Sequence, residues 1–229
     1  MKYTAIAAFA AALLGCAPMS AQAADLPTAK APIFVAAAPS PWMVRVRGLA
    51  VLPQESTRSV VVGGVPLTDK ISVSDTVIPE LDISYFFTPN FAAELVLGTT
   101  PHNLTIKGPV TNHLALGRVW LLPPTLTLQY HFTQFGAFKP YVGAGVNYTV
   151  FYGEKSKSAF TSLDVKDQFG FALQAGMDYM LDQHWGLNID VKKLWLRPDA
   201  KAVLGGSVPV KAKVSLDPWL VGVGVTYRF

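Results

Sequence analysis

Trp219-Leu220-Val221-Gly222-Val223-Gly224-Val225-Thr226-Tyr227-Arg228-Phe229 ends the chain. Successive side chains of a strand point to opposite faces, so this stretch divides cleanly in two. Trp219, Val221, Val223, Val225, Tyr227 and Phe229 form one face, and Leu220, Gly222, Gly224, Thr226 and Arg228 the other. Valines between aromatic ends are what hydrocarbon tolerates, with the aromatic residues as interfacial girdles. The opposite face is small and polar. A strand apolar outward and polar inward belongs to a barrel that crosses a membrane. A soluble lipocalin-like barrel has the reverse sense, with an apolar cavity and a polar exterior.

The split recurs upstream. Val142, Ala144, Val146, Tyr148 and Val150 oppose Tyr141, Gly143, Gly145, Asn147 and Thr149. Phe169, Phe171, Leu173, Ala175, Met177 and Tyr179 oppose Gly170, Ala172, Gln174, Gly176 and Asp178. Composition leads to the same class. The 229 residues are 51% hydrophobic and only 15% charged, against about 25% charged in ordinary domains. This excludes a disordered polymer or a coiled coil. A net charge of +4, scattered along the chain, does not suit a phosphate backbone, so no nucleic-acid partner is expected. One cysteine excludes a disulfide scaffold and any multi-cysteine metal site. Mean hydropathy of +0.32 invites a helical membrane protein. Beyond residue 24, however, no run of about 18 residues, the least a spanning helix needs, lacks both charge and proline. A membrane chain without spanning helices must close its backbone hydrogen bonds as a barrel.

Spacing sets the number of strands. Tight turn signals fall at Thr88-Pro89-Asn90, Gln134-Phe135-Gly136-Ala137 and Leu181-Asp182-Gln183-His184. Positions 42, 89, 136, 183 and 229 divide the chain at intervals of 47, 47, 47 and 46 residues. Each interval holds two strand-like runs around a longer polar segment: residues 53–72, 100–117, 153–164 and 198–210. Short turns at one end and long loops at the other describe an outer-membrane barrel. The expected fold is therefore an all-β, eight-stranded antiparallel transmembrane barrel over residues 42–229, both termini periplasmic. A propeller blade also repeats at this length, but it needs four short strands rather than two long ones.

Residues 1–23 read as a cleaved signal peptide: Lys2, an apolar run from Ala5 to Leu14, and Ala21-Gln22-Ala23 as the cleavage site. Leu13-Leu14-Gly15-Cys16 weakly resembles a lipoprotein signal, though Leu14 stands where that pattern prefers a small residue. Residues 24–41, with four prolines, read as an extended periplasmic tether. The chain is thus expected in the Gram-negative outer membrane.

Alternation also assigns the lumen. Arg45, Arg47, Glu80, Asp82, Glu94, Asp178, Asp190, Lys192 and Arg228 all point inward in the periplasmic half. An eight-stranded lumen is just filled by side chains, and unpaired buried charges are costly, so these groups are expected to form a salt-bridged plug; a proton relay or polar channel is the alternative. The outer half of the same face is apolar, with Leu49, Val51, Ile78, Val96, Val119, Leu121, Phe151, Leu194, Leu196, Val214 and Leu216 at one depth. These residues read as the lining of a funnel for lipophilic solutes, or else as ordinary packing that caps the barrel. Pro123 and Pro124 interrupt strand four, where neither can donate a ladder hydrogen bond. They mark a lateral exit into the membrane or simply a bend. Lys193 points toward lipid, so it should snorkel or lie above the hydrocarbon. Tyr227 and Phe229 read as the C-terminal signal for the barrel-insertion machinery.

Catalysis is not expected. A lipid-modifying barrel needs a nucleophile and a base together near the rim. His102 and His113 fall in an expected loop, His184 in a short turn, and His131 inward without a Ser-Asp partner in sequence. No phosphate loop, zinc spacing or dinucleotide fingerprint occurs, so no cofactor or metal is implied. Expected partners are outer-membrane lipid and lipopolysaccharide, the insertion machinery and a small hydrophobic solute. Lys70, Lys107, Lys155 and Lys157 read first as solvated loop residues and second as contacts for lipopolysaccharide phosphates.

Leu122-Pro123-Pro124-Thr125-Leu126, Phe138-Lys139-Pro140-Tyr141-Val142-Gly143-Ala144-Gly145-Val146-Asn147-Tyr148-Thr149, and Leu216-Asp217-Pro218-Trp219 with the ending Tyr227-Arg228-Phe229 resemble the OmpW family of outer-membrane proteins. With the hairpin spacing, the resemblance runs from about Trp42 to Phe229. It implies an eight-stranded barrel acting as a passive, narrow channel for small hydrophobic molecules, with possible lateral release. The Pro-rich tether departs from the usual family start. A structural or surface-interaction barrel without transport is the alternative, and a lipid-modifying enzyme a remote one.

Overall fold

A computed structural model describes residues 40–109, 112–157 and 159–229; the expected signal peptide, Cys16 and nearly all of the expected tether lie outside them. The chain begins with β1 (Trp42–Leu52), β2 (Ser56–Val62), β3 (Val65–Leu67), β4 (Lys70–Val73) and β5 (Thr76–Phe86). After a short turn come β6 (Phe91–Leu97), β7 (Thr100–Lys107), β8 (Leu114–Leu122) and β9 (Thr125–His131). The third hairpin holds β10 (Phe138–Ser156), β11 (Phe160–Val165) and β12 (Gln168–Met180). The fourth holds β13 (Trp185–Trp195), β14 (Asp199–Leu204), β15 (Val208–Ser215) and β16 (Trp219–Arg228).

Eight of these close an antiparallel barrel in the order β1-β5-β6-β9-β10-β12-β13-β16, with β16 pairing back to β1. The alternation read from the last strand is its wall. Val223, Val225, Phe169, Phe171, Leu126 and Val146 are exposed on the outside, while Thr226, Gln174, Thr127 and Asn147 are buried within. Register is fixed by the same parity, since a one-residue slip would turn every inward charge to lipid. Between β1 and β5 it sets Arg45 opposite Asp82 and Arg47 opposite Glu80. Opposite charges directly across a strand pair are favourable neighbours.

The three short turns lie where the sequence puts them. In the third, the Asp182 carboxylate accepts the backbone N–H groups of His184 and Trp185, each at 2.7 Å. Those hydrogen bonds hold its carboxyl below the usual carboxylate range.

The other end departs from expectation. The four long polar segments are largely strands, not loops. They extend the wall as two further sheets: β4-β7-β8 continuing onto the end of β10, and β11-β14-β15-β2-β3. Two tight glycine pairs make this possible. Gly63-Gly64 joins β2 to β3 and Gly205-Gly206 joins β14 to β15, all four with φ between 57° and 89°. The two-residue loop Gly63-Gly64 needs positive φ at both positions for its twist to match its strands, and the three-residue loop Gly205-Gly206-Ser207 turns on the same kind of glycine pair. His102, expected in a loop, therefore sits on β7, buried in the wall.

The strand expected to carry Pro123 and Pro124 is two strands, β8 and β9, broken at those residues. β9 pairs with β10 only up to Asn147, and β8 resumes at Val150. The neighbouring ladder is broken at the same level. β5 pairs with β6 from Phe86 to Leu81 only, so its outer residues, 76–80, have no ladder partner on that side among the described residues.

Candidate functional site: an apolar funnel above an ion-paired plug

The lumen is built from β1 outward. Arg45 and Arg47 project inward two positions apart and reach different carboxylates. Arg45 Nε and Nη2 donate to the two oxygens of Asp178 at 3.1 and 2.7 Å, and its Nη1 meets Glu94 at 2.6 Å. Arg47 Nη2 and Nε both donate to Glu80 Oε1, at 2.6 and 2.9 Å, and the same Nη2 pairs with Asp82. Lys192 Nζ stands 3.8 Å from Glu94 and 3.9 Å from Asp190. These eight groups are each 3% exposed or less. Bidentate arginine pairs of this kind are both strong and geometrically selective.

Neutral residues complete the layer. Tyr141 donates its hydroxyl to Asp190 at 2.8 Å and lies beneath the Arg45 guanidinium, 4.7 Å from ring centre to Cζ. Gln174 donates to Glu94 at 2.9 Å and to Asp190 at 2.7 Å. Asn188 accepts from Arg47 and donates to Asp178. Gly176 is needed here because a Cβ at that position would stand 2.5 Å from the Tyr141 ring. The ninth charge assigned by sequence lies apart: the Arg228 guanidinium packs over the Phe86 ring at 4.3 Å and, among the described residues, joins no ion pair. Its strand ends at the rim, where it is only half-buried.

Above the plug the lumen opens into one apolar cavity of about 1050 Å³, the open space at its mouth included. Leu49, Val51, Ile78, Val96, Val119, Leu121, Phe151, Leu194, Leu196, Val214 and Leu216 all line it. All eleven are buried. Further lining comes from the extension: Ile71 and Val73 on β4, Thr100, His102 and Leu104 on β7, and Val165 on β11. Sequence reasoning missed these residues by treating their segments as loops. A signal was present, because Ile71 and Val73, then Thr100, His102, Leu104 and Ile106, recur at the two-residue period of a half-buried strand.

The funnel has few polar groups, and each is satisfied locally. His102 contacts the Ser74 carbonyl through Nδ1 at 2.7 Å and Thr100 Oγ1 through Nε2 at 3.2 Å. Burial holds its imidazole below the usual range, against the opposing pull of Ser74 and Asp75. Glu80 closes the floor, tied down by Arg47. On one side the cavity wall includes Ile78, Gly98, Pro123 and Thr125, the residues that flank both ladder breaks. The Pro123 and Pro124 carbonyls are turned to Asn147 Nδ2, at 3.1 and 3.3 Å.

The remaining assigned residues lie at the two rims. Lys193 does not enter hydrocarbon: it lies over the Trp219 ring at 4.8 Å and donates to Gln54 at 2.9 Å and to the Asp217 carbonyl. Tyr227 and Phe229 meet edge to face at 4.9 Å at the short-turn end. His131 stacks on Tyr141 at 4.9 Å and contacts Gln129 at 3.0 Å.

The chain is 54% identical over 226 residues to an uncharacterized outer-membrane protein of Sinorhizobium fredii, spanning 97% of this chain and 95% of that one. It is 28% identical to a protein of Pseudomonas aeruginosa named for a dibenzothiophene metabolism operon, over 86% of this chain and 95% of the relative. Among solved structures it resembles the outer membrane protein OprG from Pseudomonas aeruginosa, with a TM-score of 0.77 and 30% identity, covering 83% of this chain and 97% of that one. These likenesses make the chain a Gram-negative outer-membrane barrel. The OmpW family model matches residues 41–229, and the chain belongs to that family.

Proposed function

We propose that the barrel is a passive conduit for small hydrophobic molecules, with its tall end outside the cell and the short turns and both termini in the periplasm. One observation carries the reading: a wide, almost wholly apolar cavity stands directly on a layer of fully buried ion pairs. A lipophilic solute gains about 25 cal/mol per Å² of apolar area withdrawn from water, so such a funnel captures it without specific hydrogen bonds. The layer beneath offers no apolar path, and parting its arginine–carboxylate pairs would leave uncompensated charges. The side wall is the easier way out. Beside the funnel, residues 76–80 of β5 pair with β1 but have no ladder partner on the β6 side among the described residues, and Pro123 and Pro124 separate β8 from β9. Release there delivers the solute into the bilayer. The name of the Pseudomonas relative, which refers to metabolism of a fused aromatic sulfur heterocycle, agrees with a lipophilic cargo.

The reading is tested by uptake of a lipophilic fluorescent probe into proteoliposomes. Leu121→Asp and Phe151→Asp each set a carboxylate into the funnel wall. Folded variants, identified by heat-modifiable mobility, are expected to take up the probe at least several-fold more slowly than wild type. Uptake at the wild-type rate would make the funnel ordinary packing and the chain a structural or surface-interaction barrel.

A further inference from the structure

The outer face of the extension carries a pattern that transport does not use. Three pairs of like charges stand directly opposite one another in register: Arg118 with Lys155, Lys70 with Lys107, and Lys201 with Lys211. All six side chains are exposed, and the residues beside them, such as Ile71, Ile106, Ala202 and Val210, turn inward and are buried. Like charges directly opposite on one sheet face destabilise the pairing. The same conflict occurs in three places, on both sheets of the extension.

Within the described residues no ion pair neutralises it. Among the described residues every ion pair belongs to the lumen plug. Acidic residues do stand nearby in register, with Asp164 opposite Lys201 and Asp199 opposite Lys213. Neither comes within ion-pair distance.

Height identifies the counter-charge. Trp120 and Tyr152, opposed in register, belong to the aromatic belt at this end of the lipid-facing wall. Arg118 lies two residues beyond Trp120, roughly 7 Å further along the strand at about 3.3 Å per residue. That is where the first phosphates of a lipid headgroup stand. Lys107 is six residues beyond Pro101, the partner of Trp120, and Lys201 six beyond Trp195. Lys107 is roughly 20 Å along the strand by the same rise, about 15 Å in height at a strand tilt of about 40°, beyond a headgroup and into any phosphorylated sugar attached to it. Lys201, past the break at residues 196–198, stands in the other sheet of the extension.

We propose that the outer face of the extension is a docking surface for the phosphorylated glycolipid of the outer leaflet, with Arg118 and Lys155 at its headgroup phosphates and Lys70–Lys107 and Lys201–Lys211 along its sugar-borne phosphates. The placement rests on the orientation proposed above, with the tall end outside, but not on transport. Arginine suits phosphate bidentately and lysine as a point charge, and anion binding relieves the repulsion within each pair.

The test measures retention of purified rough-form lipopolysaccharide by the immobilised, folded, full-length protein in detergent. Wild type is expected to retain it in a salt-sensitive manner, and at least tenfold more weakly once the glycolipid is dephosphorylated. Arg118→Gln/Lys155→Gln should lose about tenfold in retention, and Lys201→Gln/Lys211→Gln a smaller factor. Lys139→Gln, at the short-turn end, should change nothing. Without glycolipid, the Arg118→Gln/Lys155→Gln variant should melt no lower than wild type, because a repulsive pair has been removed. Lys155→Gln alone is the fallback should the double variant fold poorly. Retention that ignores either the Arg118/Lys155 substitution or dephosphorylation would overturn the proposal. So would equal competition by inorganic phosphate, which would indicate a site for any free anion. Probe uptake is a separate readout, so failure of the docking surface and failure of the conduit are told apart.

Discussion

At the scale of single residues, the plug is asymmetric. Arg47 serves Glu80, Asp82, Asp190 and Asn188 together, so Arg47→Ala strips Glu80 and Asp82 of their ion-pair partner among the described residues and leaves Asp190 to Lys192, Tyr141 and Gln174. Breaking a buried pair by deleting one partner typically costs about 3–5 kcal/mol, and the denaturation midpoint of the refolded barrel should fall accordingly. An unshifted midpoint would mean that the plug contributes no net pairing. Asp82 is the contrasting case. Five carboxylates share the layer with three fully buried cations, and among the described residues Asp82 is held by the Arg47 ion pair alone, with no well-directed hydrogen bond to either oxygen. Asp82→Asn should therefore be tolerated or mildly stabilising in the same titration, and a loss as large as that of Arg47→Ala would refute the charge-excess argument. Strand parity alone placed these charges inward. It could not select their partners, because Tyr141, Gln174 and Asn188 join only when strands distant in sequence come together around the lumen.

At the scale of elements, the turns and barrel strands were legible because each has a strong local cause: glycine, proline or aspartate at the turns, and an apolar period of two along the strands. The extension was not. Its strands are short, their outward positions are lysines and serines, and they are stabilised by pairing with partners far along the chain, β15 with β2 for example. Polar composition read as loop hid a burial pattern that only the pairing reveals. His102 on β7 gives this element a pH signature. Its imidazole is held below its usual range in the folded state, so unfolding binds protons as pH falls below about 6.5, the ordinary histidine value. Its contribution is complete above that value and is lost as pH drops through it toward the lowered folded value. With intrinsic exchange divided out, the protection of amides in β4 and β7 should fall as pH drops below about 6.5, and His102→Gln should abolish the dependence. Protection independent of pH in the wild type would show that the imidazole is solvated.

At the scale of the whole molecule, three layers stack along one axis: an aromatic short-turn rim, an ion-paired plug and an apolar funnel carried beyond the membrane by the extension. The rim concerns assembly. Phe229 is exposed on the lipid side, holds Trp42 through a backbone hydrogen bond of 3.2 Å and packs on Tyr227. Its deletion should lower the yield of heat-modifiable barrel in outer membranes without altering the stability of molecules that do fold. The plug and funnel together decide the route. A conduit that ran straight through would have to be wet at the level of Arg45 and Arg47, and water-filled pores conduct ions. A conduit that turns aside at Pro123 and Pro124 keeps the plug dry and shut. Planar-bilayer recordings of the wild type should therefore show no steady ion conductance, while the same preparation delivers a lipophilic probe to the bilayer. Substituting both prolines by valine would restore two backbone donors at the break, favour a continuous β8–β9 ladder and slow that delivery several-fold, leaving conductance still absent. Steady ion currents in the wild type, or undiminished delivery by folded Pro123→Val/Pro124→Val, would each remove the sideways exit, the former by opening the floor and the latter by showing that the gap in the wall is not used.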